Sequence, residues 1–246
     1  MVWRVEHFAE IDSTNTRAVL RARDGEPEGL VVVAEYQSTG RGRLDRTWDS
    51  TPGASLLCSI LLRPSIDVDH LQVVVTTVAL SARAALVRLS GVRPRLKWPN
   101  DLIVGDAKIA GLLAEAVTTN DGLAVVVGIG VNLTSAPDGV NATSVREQSG
   151  VTLVPIGLLD IMLEEIEHRI EAWVDDEGHR RLRAEYEGAL ATIGERVRVE
   201  THTEVFEGVA QRVDLVGRLV VDVDGTAMTF SSGDVVHLRP MERGDR

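Results

Sequence analysis

EYQSTGRGRLDRTW, residues 35–48, places three arginines and two glycines within seven positions. The run LVVVAEY that leads into it, residues 30–36, is apolar and predicts a buried strand. Glycine lets the backbone approach a ligand closely, and arginine offers a planar fork that matches carboxylate and phosphate groups. A strand that ends in such a loop predicts an anion-binding clamp, although a solvated turn can have the same composition.

The length and charge of the chain limit the kinds of protein it can be. Its 246 residues suit one large domain, or a medium domain followed by a small one, and a hydrophobic content of 44% supplies a core. Acidic residues outnumber basic ones by 37 to 26, for a formal net charge of −11. This balance argues against a general nucleic-acid-binding surface and makes the local arginine cluster stand out.

The sequence predicts a cytoplasmic protein without disulfides or a cysteine metal site. Every apolar run is expected to be interrupted before it reaches the roughly 20 residues of a membrane span, and the N-terminus has no signal-peptide core. The one cysteine, Cys58, lies in the apolar run SLLCSILL, which favours a buried thiol over a nucleophile. The six histidines are dispersed and have no metal-ligand spacing.

The first 190 residues alternate between patterns typical of strands and patterns typical of helices. The expected elements are a strand at 2–8, a helix capped by Ser13 or Thr14 and ended by Gly25 and Pro27, strands at 30–36 and 55–62, a helix at 69–89 capped by Asp69, strands on either side of Pro99, a strand or helix at 108–117, a strand at 123–132, a loop with a helical turn at 134–153, and helices within 155–190. The apolar face of the last segment is predicted to comprise Ile161, Leu163, Ile166, Ile170, Trp173, Leu182 and Tyr186.

Composition changes near Gly194, where short alternating stretches begin. About five strands in roughly 48 residues, with a hairpin signal at Asp224-Gly225, predict a small barrel. The expected domains are 1–191 and 192–240, followed by a frayed tail at 241–246.

Four polar stretches, each beside an apolar strand, hold the unusual chemistry. They are STN at 13–15, QSTGRGRLDR at 37–46, KWPND at 97–101, and Lys108. The first could serve only to cap a helix. The chain has no GxxxxGK[ST] phosphate loop and no GxSxG elbow, and GIGVNL lacks the third glycine of a dinucleotide fingerprint.

Together and in this order, the motifs resemble those of biotin protein ligases. The resemblance runs through DSTN, EYQ-x-x-GRGR-x-x-R-x-W, KWPND, K-I-A-G-L-L-x-E and GIGVNL, and it includes the DGVNATSV segment and the C-terminal strand pattern. It covers nearly the whole chain. GRGR alone is not specific, but the spaced combination is.

The resemblance implies both a fold and an activity. The fold would be α/β (α+β), a mixed sheet flanked by helices like that of class II aminoacyl-tRNA synthetases, followed by a small SH3-like barrel. The activity would be that of a biotin–[acetyl-CoA-carboxylase] ligase, which uses ATP with Mg²⁺ to make biotinyl-5′-AMP. Biotin would then pass to one lysine of the biotin carboxyl carrier protein domain of an acyl-CoA carboxylase.

The resemblance also implies roles for particular residues. Catalysis would fall to Lys108 and Arg43, and no metal site would be fixed by the protein. Asp101 would orient its neighbours or a metal, or cap a turn, and Trp48 and Trp98 would pack the walls of the site. Biotin would be bound by Ser13, Thr14, Asn15, Gln37, Arg41, Gly42, Arg43 and Lys108. ATP or the adenylate would be bound by Arg41, Arg43, Arg46, Asn100, Lys108 and Asn132.

Two departures from many relatives bear on these expectations. Asp45 stands where many carry glycine, and this added anion could stiffen the loop. DSTN begins at residue 12, which leaves no room for the operator-binding helix-turn-helix of some relatives. We therefore expect a ligase that is not a repressor, has no nucleic-acid or membrane partner, and is a monomer or weak homodimer. Two alternatives stay open at this point: a lipoate–protein ligase or octanoyltransferase, and a non-catalytic sensor of biotin or nucleotide.

Overall fold

A seven-stranded mixed sheet forms the larger part of the protein. The computed structural model describes residues 1–43, 46–66, 71–173, 175–201, 203–214, 216–231 and 234–237. The strands are β1 (Arg4–Ile11), β2 (Leu30–Gln37), β3 (Ser55–Leu62), β4 (Arg95–Lys97), β5 (Asp101–Val104), β6 (Ala107–Thr119) and β7 (Gly122–Asn132). Their spatial order is β1-β2-β3-β7-β6-β5-β4. The β1–β2 pair is parallel and the others are antiparallel.

The central strands are apolar on both faces because helices cover the sheet. Every residue of β3 is buried, as are the residues of β7 from Ala124 onward. This is why SLLCSILL has a continuous apolar run in place of the alternation expected for a half-exposed strand. The pattern of β6 had been compatible with a strand or a helix. Its pairing with both β5 and β7 makes it a strand.

Helix α1 (Thr14–Arg23) begins and ends where the sequence predicts. The Ser13 side chain accepts a hydrogen bond from the Thr16 N–H at 3.4 Å, which satisfies one of the free donors of the first turn. Ala18 and Ala22 are buried against the sheet. The chain then turns at Gly25, whose φ of 85° favours glycine.

Helix α2 (Gln72–Ser90) corrects one expectation from the sequence. It ends at Gly91 in a left-handed conformation, as predicted, whereas the proposed cap Asp69 lies outside the described residues. With 19 residues it has the length and composition of a membrane span, a match that the interrupting polar residues had not led us to expect. The helix packs against the sheet and three other helices, and 56% of its apolar window is buried, as is typical of a core helix.

The remaining helices all pack against α2. They are α3 (Val145–Ser149), α4 (Pro155–Ile170) and α5 (Asp176–Ala189), with a 3₁₀ turn at Glu171–Trp173 between the last two. The apolar face predicted for residues 155–190 is the face that packs. Leu163, Ile166, Trp173, Leu182 and Tyr186 are buried, and Ile161 and Ile170 are partly buried against the core.

The C-terminal segment forms a second, five-stranded antiparallel sheet. Its strands are β8 (Arg196–Glu200), β9 (Val205–Val213), β10 (Leu219–Val223), β11 (Thr226–Phe230) and β12 (Asp234–His237), in the order β11-β10-β9-β8-β12. The predicted hairpin is present, with Asp224 at φ 50° and Gly225 at φ 82°. The domain boundary at residue 191 stays a prediction, and residues 238–240 and the tail at 241–246 lie outside the described residues.

Trp98 joins the two sheets. The residue is 2% exposed. Its indole Nε1 donates a hydrogen bond to the Gly217 carbonyl at 3.0 Å, and its backbone N–H donates to Thr192 Oγ1 at 3.1 Å. His237 Nε2 lies 3.2 Å from the same hydroxyl, and burial, followed by the nearby Lys97 charge, lowers the pKa of this histidine. The KWPND turn is therefore attached directly to the C-terminal sheet.

Candidate active site

A cavity of about 340 Å³ lies where the four polar stretches meet, within the size range of small-molecule sites. β12 also contributes to its wall, through Val235 and Val236. The lining includes nearly all of the residues singled out from the sequence: Ser13, Thr14, Asn15, Gln37, Arg41, Gly42, Arg43, Arg46, Asn100 and Lys108. Residues far apart in the chain thus form one site.

Glycines form the floor of this cavity. Gly111 on β6 is paired with Gly130 on β7, and Gly128 lies two residues before it. A Cβ atom at Gly128 would lie 2.1 Å from Asn15 Oδ1, and one at Gly130 would lie 2.3 Å from Trp48 Cε2. The close approach expected at residues 128 and 130 therefore occurs, because the Asn15 amide lies directly on Gly128 and the Trp48 indole lies directly on Gly130.

Hydrogen bonds join the start of α1 to the end of β2. The backbone N–H of Thr14 donates to Gln37 Oε1 at 2.7 Å, and the Thr14 hydroxyl lies 3.0 Å from the same oxygen. From β3, Ser59 Oγ lies 2.7 Å from Thr14 Oγ1 and 2.6 Å from Asn15 Oδ1. These contacts fix one wall of uncharged polar groups. They also show that residues 13–15 do more than cap the helix.

The amide of Asn15 is fully engaged within the protein. Its Nδ2 donates to the Leu113 carbonyl at 3.2 Å and to Glu115 Oε2 at 2.9 Å, while Oδ1 faces the Ser59 hydroxyl. An amide nitrogen has two hydrogens, so both are used. Direct donation from Asn15 to a ligand would therefore require one of these bonds to break.

The arginine loop is pinned at its base. Arg41 pairs with Thr47 as an isolated antiparallel bridge, and the Gly42 N–H donates to the Arg46 carbonyl at 2.7 Å. Residues 44 and 45 lie outside the described residues, so the effect of Asp45 stays a prediction.

Two side chains of the loop reach across the cavity to different partners. Arg43 Nη1 donates to Asn100 Oδ1 at 3.2 Å, which joins the loop to the KWPND turn. Arg41 Nη1 lies 3.2 and 3.3 Å from the two carboxylate oxygens of Glu115 on β6. The loop is therefore tied to both ends of the cavity.

Lys108 is held between an anion and an aromatic ring. Its Nζ lies 2.7 Å from Asp101 Oδ1 and 5.4 Å from the centroid of the Trp48 ring, and its side chain is 35% exposed. Asp101 begins β5, beside the segment of β6 that carries the lysine. Of the roles considered for Asp101, the contact with Lys108 is the one that this geometry provides.

Asn132 does not line this cavity. It lies in a neighbouring cavity of about 270 Å³ that shares Gln37 with the first. Asn132 is 2% exposed, and its Nδ2 donates to the Thr143 carbonyl at 3.1 Å. Its Oδ1 is buried without a hydrogen-bond partner among the described residues. Most other lining residues are polar and comprise Tyr36, Ser38, Asp49, Ser50, Thr51 and Ser135.

Cys58 lies beneath the cavity and is inert. It is 1% exposed, and burial raises the pKa of its thiol to about 12. Almost no thiolate forms at neutral pH, and the thiolate is the nucleophilic form. The prediction of a buried structural thiol is confirmed.

Sequence reasoning missed several residues of the site. Glu115 ends the KIAGLLAE stretch, and its charge among apolar neighbours is a signal that could have drawn attention to it. Ser59 is a hydroxyl within the apolar run of β3, which is a weaker signal. No pattern in the chain indicates that Val235 and Val236 line the cavity, because only the packing of β12 places them there.

Comparison with known protein families identifies two matching segments. Residues 7–132 match the Biotin/lipoate A/B protein ligase family, and residues 192–238 match the Biotin protein ligase C terminal domain. The first family includes lipoate enzymes, so this match by itself leaves the acyl group open.

Individual relatives are more specific. The biotin–[acetyl-CoA-carboxylase] ligase of Mycobacterium tuberculosis is 36% identical, over 96% of this chain and 90% of the relative. The enzyme of the same name from Paracoccus denitrificans is 32% identical, over 87% of this chain and 92% of the relative. The biotin protein ligase of Aquifex aeolicus, in complex with biotin and ATP, superposes with a TM-score of 0.81 at 26% identity and covers 96% of this chain and 99% of its own. On these matches, the chain belongs to the biotin protein ligase family.

Proposed function

We propose that this protein is an ATP-dependent biotin–[acetyl-CoA-carboxylase] ligase. It activates biotin as biotinyl-5′-AMP and transfers it to a lysine on the biotin carboxyl carrier protein domain of a carboxylase. The observation that carries this proposal is one cavity with an uncharged polar wall, a glycine floor and cations from three separate segments. Biotin has a neutral ring system at one end and a reactive carboxylate at the other. It therefore needs these two environments side by side.

The uncharged half of the cavity suits the head of biotin. The ureido group of biotin has one carbonyl acceptor and two N–H donors. Thr14 and Gln37 offer hydroxyl and amide groups that are already held in place by each other. Such preorganised polar groups fix a ligand at a lower entropic cost. Gly111 and Gly130 let the Trp48 ring lie directly against the strands, where its face can form a wall for the rings of the ligand.

The cationic half suits the adenylation step. A carboxylate oxygen of biotin attacks the α-phosphorus of ATP, and the bond to pyrophosphate breaks, so three anionic groups must converge. Lys108 and Arg43 both line the cavity and supply fixed positive charge from separate segments of the chain. Preorganised charge of this kind stabilises the transition state, and the cavity holds the reactants together.

In the second step the acyl carbon of biotinyl-AMP is attacked by the amine of the carrier lysine. AMP leaves with the electrons of the broken C–O bond, and the amine loses a proton. Lys108 is proposed to contact the carboxylate and α-phosphate, and it need not be a nucleophile because the acceptor amine belongs to the carrier.

Magnesium is proposed to accompany ATP rather than to occupy a protein site. Among the described residues, no group of three or more His, Cys, Asp or Glu side chains could hold a metal ion. Asp101 is engaged with Lys108, which leaves the phosphate oxygens as the main ligands. The ion would neutralise charge on the departing pyrophosphate.

Asn132 is proposed to recognise the base of ATP. Its buried Oδ1 needs a donor, and the exocyclic amino group of adenine is one. We expect inosine triphosphate, which carries a carbonyl there, to support pyrophosphate release on the order of tenfold less efficiently, as judged by kcat/KM, since an unmatched buried acceptor costs roughly 1–3 kcal/mol. Equal efficiency with the two nucleotides would exclude this role for Asn132.

The same proposal extends to the location, the oligomeric state and the partners of the enzyme. We propose a cytoplasmic monomer or weak homodimer whose macromolecular partner is the carrier domain, with no operator DNA and no membrane partner. Sedimentation with and without biotin and ATP tests the oligomeric state. A stable dimer at low micromolar concentration would contradict it.

The decisive experiment is intact-mass analysis of a carrier domain incubated with the protein, biotin, ATP and Mg²⁺. We expect a gain of one biotin on one lysine, and no gain when that lysine is replaced by arginine. A parallel arm offers lipoate with its own carrier. Transfer of lipoate without biotin would overturn the assignment, and biotin binding without release of pyrophosphate would instead indicate a sensor.

A further inference from the structure

The carboxylate of Glu115 connects two parts of the site that are distant in sequence. Its Oε2 accepts a hydrogen bond from Asn15 Nδ2 at 2.9 Å, at the start of α1. Both of its oxygens lie within 3.3 Å of Arg41 Nη1, at the start of the arginine loop. None of the roles assigned so far includes Glu115.

One partner of Glu115, Asn15, belongs to the uncharged half of the cavity. Asn15 rests on Gly128 and receives the Ser59 hydroxyl, which also contacts Thr14. Any shift of the Asn15 amide would therefore reach the wall that faces the head of biotin. Lys108 lies elsewhere, paired with Asp101.

The charge of Arg41 is balanced where it stands. Its Nη1 atom lies 3.2 Å from Glu115 Oε1, so the protein itself supplies the counter-ion of Arg41. This ion pair holds Arg41, and with it the start of the arginine loop, against β6.

We propose that Glu115 is a positioning residue that braces the biotin half of the cavity through Asn15 and Arg41. It acts on the affinity for biotin and not on the adenylation chemistry. This inference rests on the proposed function, because it assigns a part of the same site.

If Arg41 and Glu115 formed only an ordinary surface ion pair, substitution of Glu115 would give a different result from the one that the brace predicts. The side chains of Arg41 and Glu115 are 50% and 26% exposed, and an ion pair this accessible adds little to stability. Its loss would then leave both Michaelis constants unchanged. The brace predicts instead an effect confined to biotin, which a purely stabilising contact would not produce.

Two substitutions of Glu115 separate its contact with Asn15 from its contact with Arg41. Glu115→Gln keeps an oxygen that can accept from Asn15 and removes the charge that holds Arg41, while Glu115→Ala removes both contacts. From the usual strength of hydrogen bonds to charged groups, we expect the KM for biotin to rise roughly tenfold or more in Glu115→Ala and less in Glu115→Gln. The kcat and the KM for ATP should stay within about twofold of wild type, the ordinary spread of a binding-only effect.

Glu164→Gln is the matched control, since Glu164 pairs with Arg88 at 2.9 Å on helices that do not line the cavity. It should leave both constants unchanged. A double-mutant cycle between Arg41→Gln and Glu115→Gln should show less than additive losses in biotin affinity.

The inference is wrong if wild type transfers biotin and Glu115→Ala retains its KM for biotin. It is also wrong if kcat falls while that KM is unchanged. Absence of biotin transfer by the wild-type protein would instead reject the proposed function, so the two failures are distinguishable. Thermal unfolding of each variant establishes that a raised KM does not come from an unfolded fraction.

Discussion

Lys108→Ala is expected to slow formation of biotinyl-AMP by about 30- to 1000-fold, which corresponds to roughly 2–4 kcal/mol in the barrier by analogy with loss of an oxyanion-site donor. The reason is that this side chain enters the cavity as a fixed cation already held by Asp101 and the Trp48 ring. Pyrophosphate release, measured without carrier protein, isolates this step from acyl transfer.

Lys97→Ala is the matched comparison, because it removes the same charge from the lining of the same cavity. If the position of Lys108 matters, the rate of pyrophosphate release should fall much further in Lys108→Ala than in Lys97→Ala. The double variant Lys108→Ala with Asp101→Asn tests whether Lys108→Ala acts only by leaving the Asp101 carboxylate without its counter-ion, because the rate would then recover. An unchanged rate of pyrophosphate release in Lys108→Ala would reject the role assigned to this lysine.

Gly130→Ala is expected to weaken biotin binding by roughly 5- to 150-fold, since overpacking a filled site costs about 1–3 kcal/mol. The added methyl carbon would lie 2.3 Å from the Trp48 ring, which no real contact tolerates. Trp48 must therefore leave the floor, and it would disturb Lys108, whose Nζ faces its ring. Calorimetric titration with biotin measures the effect.

Gly157→Ala supplies the control for this prediction. Gly157 lies in α4, and a Cβ atom there would have no neighbour within 4 Å. The substitution should leave biotin binding unchanged and raise stability by about 0.4–1 kcal/mol, because alanine restricts the unfolded chain. Equal biotin affinity in Gly130→Ala and Gly157→Ala would show that the glycine floor is not required.

The order and type of most elements were predictable because local patterns specify them. Ser13 as a helix cap, Gly91 as a helix end and Asp224-Gly225 as a hairpin each depend on a few neighbouring residues. Helix α2 has the length and composition of a membrane span although it contains two arginines, Arg83 and Arg88. The environment of that helix, not its composition, makes it a core helix.

The sequence by itself determined the family, the four polar stretches and the residue types of the site. Each motif is a short run of residues, so its chemistry can be recognised without knowledge of the fold. Tertiary structure alone decided which groups meet. It paired Lys108 with Asp101 and Arg41 with Glu115, and it placed Asn132 in a separate cavity. Such contacts depend on strand register and on the placement of separate elements around one cavity, and neither is encoded in any single stretch of the chain.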